Sequence, residues 1–245
     1  MRKVDKRIKK LVACIAMIGM FCGVSTNVLA DATTIGVDQT YSLATITNGT
    51  ETIEVPVVQE TIRPRSVDGA VTSKSTVWIP DMTEESLEQN KNLVGQIKQR
   101  MSGIAPRDMG IINFPDNNFI TFTSTIVYNV QYYNNTFRMY DIISFRLDRE
   151  IHTMAPYDSV HNATAQANQI GTIGDPADGG KLMEQSKEFG EIQYGTTYTT
   201  PSEWLPVWPP DYGGPRVGVV YNIPIDYSAQ SGLSDYTLRQ LHEVV

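Results

Sequence analysis

The sequence predicts a mainly β protein, a single β-sandwich or jelly-roll-like domain with one amphipathic helix over about residues 82–102 and a short closing helix. Three observations carry this. Segments of alternating apolar and polar residues recur along the chain, the period of strands rather than helices. Turn signals built from Gly, Pro, Asn and Asp separate them. One segment alone combines a helical stripe with capping residues at both ends.

The first thirty residues are read as a targeting segment. MRKVDKRIKK carries six Lys or Arg and one Asp, and the next fourteen residues, LVACIAMIGMFCGV, carry no charge. STNVLA follows, with small residues at Val28 and Ala30. A basic start, a short apolar run and a V-x-A end describe a secretory signal peptide cleaved between Ala30 and Asp31. Fourteen residues give about 21 Å of helix, short of the ~30 Å hydrocarbon core. The chain is therefore expected outside the cell, secreted or extracellular. Leu11-Val12-Ala13-Cys14 has the lettering of a lipoprotein box but lacks an apolar run in front of it.

Removing this segment changes the balance of the remainder. Both cysteines go with it, so thiol nucleophiles and Cys-ligated zinc are excluded from residues 31–245. Lys+Arg falls from 20 to 14 and Asp+Glu from 27 to 26, which leaves a formal net charge of −12. Such a chain repels nucleic acid and anionic lipid, and no basic cluster offsets it.

Residues 31–39 read as a flexible leader, and 40–245 as the domain. TYSLATIT, the turn Asn48-Gly49 and ETIEVPVV form a hairpin, because Asn-Gly supplies the positive φ of a tight turn. VTSKSTVWIP from Val71 alternates and is rich in β-branched residues. DMTEESLEQNKNLVGQIKQRM is the helix, with Asp81 and Glu84 as a capping box and Lys98 and Arg100 in the last turn. Residues 119–148 form the clearest hairpin. With its turn at Asn134-Asn135, facing residues sum to 269, which pairs Tyr132 with Phe137 and Ile126 with Ile143 and sets Asp141 opposite Tyr128 on the apolar face. Segments 160–170, 189–200 and 217–227 read as further strands, and SDYTLRQLHEVV as the closing helix.

The search for chemistry is short. There is no G-x-S-x-G elbow, and of the three histidines His242 falls in an expected mobile tail. Glu150 with His152, and Asp158 with His161, could offer O and N ligands to zinc, but no diagnostic spacing supports them. Asp175 and Asp178 in DPADGG could lend carboxylates to calcium, without the D-x-D-x-D-G pattern. Many carboxylate pairs could in principle serve a hydrolase, and none is nominated.

Binding has the better candidate. Pro201 to Arg216 reads PSEWLPVWPPDYGGPR, with five prolines, two tryptophans and one tyrosine in sixteen residues. Trp204, Trp208 and Tyr212 are the expected ligand-binding residues, stacking on a glycan or a peptide. The expectation is thus an exported, non-enzymatic β-domain that binds an extracellular ligand. A membrane-active protein that unfurls hairpin 119–148 and a carboxylate-based hydrolase are the alternatives.

Overall fold

The computed structural model describes residues 34–64, 69–103, 112–114, 119–133, 137–152, 159–174, 180–209, 217–227 and 235–244. All of these residues except Thr34 belong to the unit Ile35–Val245. The expected cleavage pair Ala30 and Asp31, the residues Tyr212, Asp158, Asp175 and Asp178, and the turn Asn134-Asn135 lie outside them.

Among the described residues the fold is mainly β, with one helix. In chain order the elements are β1 (Thr34–Thr47), β2 (Thr52–Pro64), β3 (Val71–Pro80), α1 (Glu84–Met101), β4 (Phe119–Tyr133), β5 (Phe137–Ile151), β6 (Ser159–Val160), β7 (Ala163–Ile173), β8 (Lys181–Ile192), β9 (Thr197–Thr199), β10 (Val217–Asp226) and β11 (Tyr236–Glu243). They build one curled antiparallel sheet in the order β8-β7-β10-β11-β1-β2-β3-β4-β5-β9, with β6 added to β10. The curl brings β3, β4 and β5 over β7, β10 and β11, as in a sandwich, and the main core fills the space between them.

Several elements follow the sequence directly. Gly49 holds φ at +91° in the β1–β2 turn, and the Asn48 carboxamide oxygen accepts from the N–H groups of Thr50 and Glu51. β3 and β10 lie where alternation put them. β1, however, already begins at Thr34, inside the segment read as a leader. α1 keeps its expected span, but its cap is Thr83, whose hydroxyl accepts from the N–H of Ser86. Asp81 sits two residues earlier and accepts from the N–H and hydroxyl of Thr83. Leu93 and Ile97 pack with Ile112 and Phe119, and Tyr41, Leu43 and Trp78 border this second, smaller core.

Three expectations are corrected. The closing segment is not a helix: residues 236–243 form β11, paired with β10 along its length and with β1 at Thr237–Arg239. Tyr236, Leu238, Gln240 and His242 alternate into the core, and this period of two overrides the wider Leu238/Leu241 spacing that suggested a helix. Next, facing residues in the β4–β5 hairpin sum to 270 near the turn and 271 beyond a bulge between Val127 and Tyr128. The extra residue is Ile143, which is exposed, while Ile142 and Phe145 on either side are buried. One consequence is that Asp141 faces Asn129, not Tyr128, on the side opposite Ile142. Finally, β8 begins at Lys181, eight residues earlier than its apolar pattern suggested, because most of it is a charged edge strand.

Candidate functional site

The Pro/Trp stretch, as far as Pro209, is built into the sheet. Thr200 ends the run after β9, and its hydroxyl and N–H donate to the carbonyls of Ile142 and Ile143 on β5. Val207 then forms a two-way backbone bridge with Tyr140 on β5, with N–H to O distances of 3.0 and 2.8 Å. The next residue, Trp208, does the same with Thr172 on β7, at 2.9 and 2.7 Å. Two consecutive residues therefore join strands that stand near opposite ends of the sheet order. We call residues 201–209 the clasp.

Side chains reinforce it. The Gln185 side chain accepts from the N–H of Leu205 and donates to its carbonyl, at 2.7 and 2.8 Å. Gln169 is fully buried and donates to the same carbonyl at 2.8 Å, while its oxygen accepts from the N–H of Ile142. It also donates to Asp141 at 3.3 Å. Gln169 thus satisfies the N–H of Ile142 on β5, and a buried amide of this kind is costly to leave unpaired. Burial holds the Asp141 carboxyl above the ordinary carboxylate range, and the Gln169 hydrogen bond opposes that rise.

The clasp separates the residues grouped by sequence. Trp204 lies in a turn, its N–H 3.2 Å from the carbonyl of Pro201, and its half-buried ring packs against the main core. Trp208 is half-buried too, but its ring lies 5.1 Å from that of Phe137 at 59° between planes. Phe137 belongs to the β5 face opposite Tyr140 and Ile142, so this aromatic wedge sits on the outer side of the hairpin end. Among the described residues, the two tryptophans make no ring contact with each other. Phe137 entered the sequence reading only as a core residue, and nothing in local sequence links it to a residue seventy positions away.

A second constellation lies at the centre of the molecule. His242 is fully buried, with Nδ1 2.7 Å from Ser124 Oγ and Nε2 2.8 Å from Ser73 Oγ. Ser124 donates onward to the Tyr221 hydroxyl at 2.9 Å, and Gln59 Nε2 donates to Ser73 at 3.2 Å. A consistent assignment follows: Gln59 to Ser73, Ser73 to Nε2, Nδ1–H to Ser124, Ser124 to Tyr221. Desolvation pushes the His242 pKa down to about 3, and burial also raises that of Tyr221. Although Ser124 and His242 are within hydrogen-bond reach, both are wholly buried, and the second imidazole nitrogen meets a serine rather than a carboxylate. The arrangement ties β3 and β4 to β10 and β11 across the core.

The remaining candidates are surface features. His152 Nε2 and Glu150 Oε2 stand 3.9 Å apart, and His161 lies 3.4 Å from the Ser159 hydroxyl. Among the described residues, no three His, Asp or Glu side chains converge on one point. Comparison with protein-family models, with curated proteins and with solved structures finds no match to this chain.

Proposed function

We propose that this protein is an exported, non-enzymatic β-domain that binds an extracellular glycan through the Trp208–Phe137 wedge. One observation carries the reading: the backbone of Trp208 is hydrogen-bonded on both of its polar groups to β7, so a half-exposed indole is held in place before any ligand arrives. A fixed aromatic face loses little entropy on binding and suits the C–H faces of sugar rings. Export rests on the basic-apolar-small pattern of residues 1–30. The membrane-active alternative is weaker, because unfurling the hairpin would extract Phe122, Ile126 and Leu147 from the core and break pairing with β3 and β9.

The test is glycan-array binding and peptidoglycan pull-down with wild type, Trp208→Ala and Trp204→Ala. Trp208→Ala should keep the fold and weaken binding by roughly tenfold or more, the scale of one aromatic contact. Trp204→Ala should act mainly on stability. Binding left intact by Trp208→Ala removes the wedge from the site, and binding to a proline-rich peptide in place of every glycan changes the ligand class.

A further inference from the structure

The buried His242 constellation pairs a nucleophile with a base. Ser73 and His242 are both fully buried, and Ser73 Oγ lies 2.8 Å from His242 Nε2. A pair buried this fully meets no outside substrate, so any acyl group it acts on belongs to the chain itself. Neighbouring hydrogen bonds fix which imidazole nitrogen is bare. Gln59 Nε2 lies 2.7 Å from the Glu243 carbonyl, and an acceptor at that distance identifies the atom as nitrogen. Ser73 Oγ therefore accepts from Gln59 at 3.2 Å and turns its own proton towards the ring. On the far side Ser124 donates to the Tyr221 hydroxyl, so it accepts from Nδ1–H. Nε2 is thus the unprotonated nitrogen, the state a general base needs, and it faces a serine hydroxyl. The same hydroxyl touches an acyl group, the Gln59 carboxamide. Gln59 and Ser73 stand diagonally on the paired strands β2 and β3, since Gln59 faces Ser75 and Thr61 faces Ser73.

We propose that the protein joins Ser73 to Gln59 by an ester of its own making, a covalent link between β2 and β3. Ser73 Oγ attacks Gln59 Cδ while its proton passes to His242 Nε2. The C–N bond then breaks, the imidazole returns the proton to the leaving nitrogen, and one ammonia departs. One O–H and one C–N bond are lost, one C–O and one N–H bond form, and no oxidant or reductant takes part. His242 ends neutral, as it began, which suits a position where burial disfavours the charged ring. Both nitrogens that exchange the proton lie within hydrogen-bond distance of the same oxygen, and holding reactants in this way replaces a bimolecular encounter. Burial of Ser73 shields the ester oxygen from water, while half-buried Gln59 gives ammonia its way out. Residues 31–245 hold no cysteine, so an ester supplies a cross-link where no disulfide can form.

The experiment is intact-mass measurement and peptide mapping of the full chain, followed in time from its synthesis in a cell-free reaction. The folded protein should become lighter by about 17 Da, the mass of one ammonia. Its digest should contain a branched peptide joining the segment around Gln59 to the segment around Ser73. Hydroxylamine should split that peptide and leave a hydroxamate at position 59. Ser73→Ala and Gln59→Met should each keep the full mass of their own sequences. His242→Gln retains hydrogen-bonding groups but offers no basic nitrogen, and should slow the loss of ammonia by roughly a hundredfold. An intact Gln59 carboxamide in wild type after prolonged incubation would overturn the proposal. So would an ammonia loss that maps to Asn48-Gly49, or an ester that forms equally fast in His242→Gln.

Discussion

His242 carries the most information of any single residue in this fold. It accepts one hydrogen bond and donates another at a fully buried position, so the neutral ring is the form that fits. Its folded pKa, about 3, lies below the unfolded value near 6.5. As pH falls below about 6.5 the unfolded chain takes up a proton that the folded one refuses, so stability drops by about 1.4 kcal/mol per pH unit until roughly pH 3. Asp141 works in the opposite direction, since a raised carboxyl pKa favours the folded state as acid is added. The His242 contribution is therefore read as a difference: urea denaturation at pH 7 and pH 5 should show a smaller acid loss in His242→Gln than in wild type. Equal losses would mean that His242 titrates alike in both states. The sequence shows the alternation Tyr236, Leu238, Gln240, His242 that carries this ring inward, but the serines it meets stand on strands more than a hundred residues earlier.

Among the elements, the clasp is the one whose role depends on a close approach. Gly171 on β7 is buried against it, and a Cβ there would press on the Trp208 carbonyl oxygen, 2.8 Å from its carbon and 3.0 Å from Val207 Cβ. Gly171→Ala should then push the clasp from β7 and cost about 1–3 kcal/mol, the range for overpacking a tight contact. Equilibrium denaturation checks the cost, and Trp208 fluorescence should report a changed environment. An unchanged midpoint and spectrum would mean the clasp stands farther from β7. The stretch announced itself in the sequence as proline-rich and aromatic, and a long connection of that kind deserved suspicion. Its partners were not legible, since Tyr140, Thr172 and the glutamines 169 and 185 have no local signature. The hairpin register failed for a related reason. The bulge at Ile143 shifts the apolar phase by one, and a string of apolar residues cannot show which one is looped out.

At the scale of the whole molecule, the strand content, the helix and most strand positions of the described residues follow from alternation and turn residues, because half-buried strands write their pattern into the chain. Sheet order does not, since nothing local says that β11 lies between β10 and β1. Nor does closure. The ends of the curled sheet meet in two places: the clasp links β5 to β7 by backbone, and Phe189 of β8 packs on Phe145 and Tyr198 of β5 and β9, with centroids 4.8 and 5.9 Å away. For the proposed function, closure would fix a half-buried tryptophan in place, and it hides the long edge of β5. Native-state hydrogen exchange tests this most directly, at the four amides of Tyr140, Thr172, Val207 and Trp208. All four should be protected to nearly the same free energy as the central strands, and should open together with them. Rapid exchange at Val207 and Trp208, beside slow exchange in β10 and β11, would contradict the clasp and with it the proposed binding face.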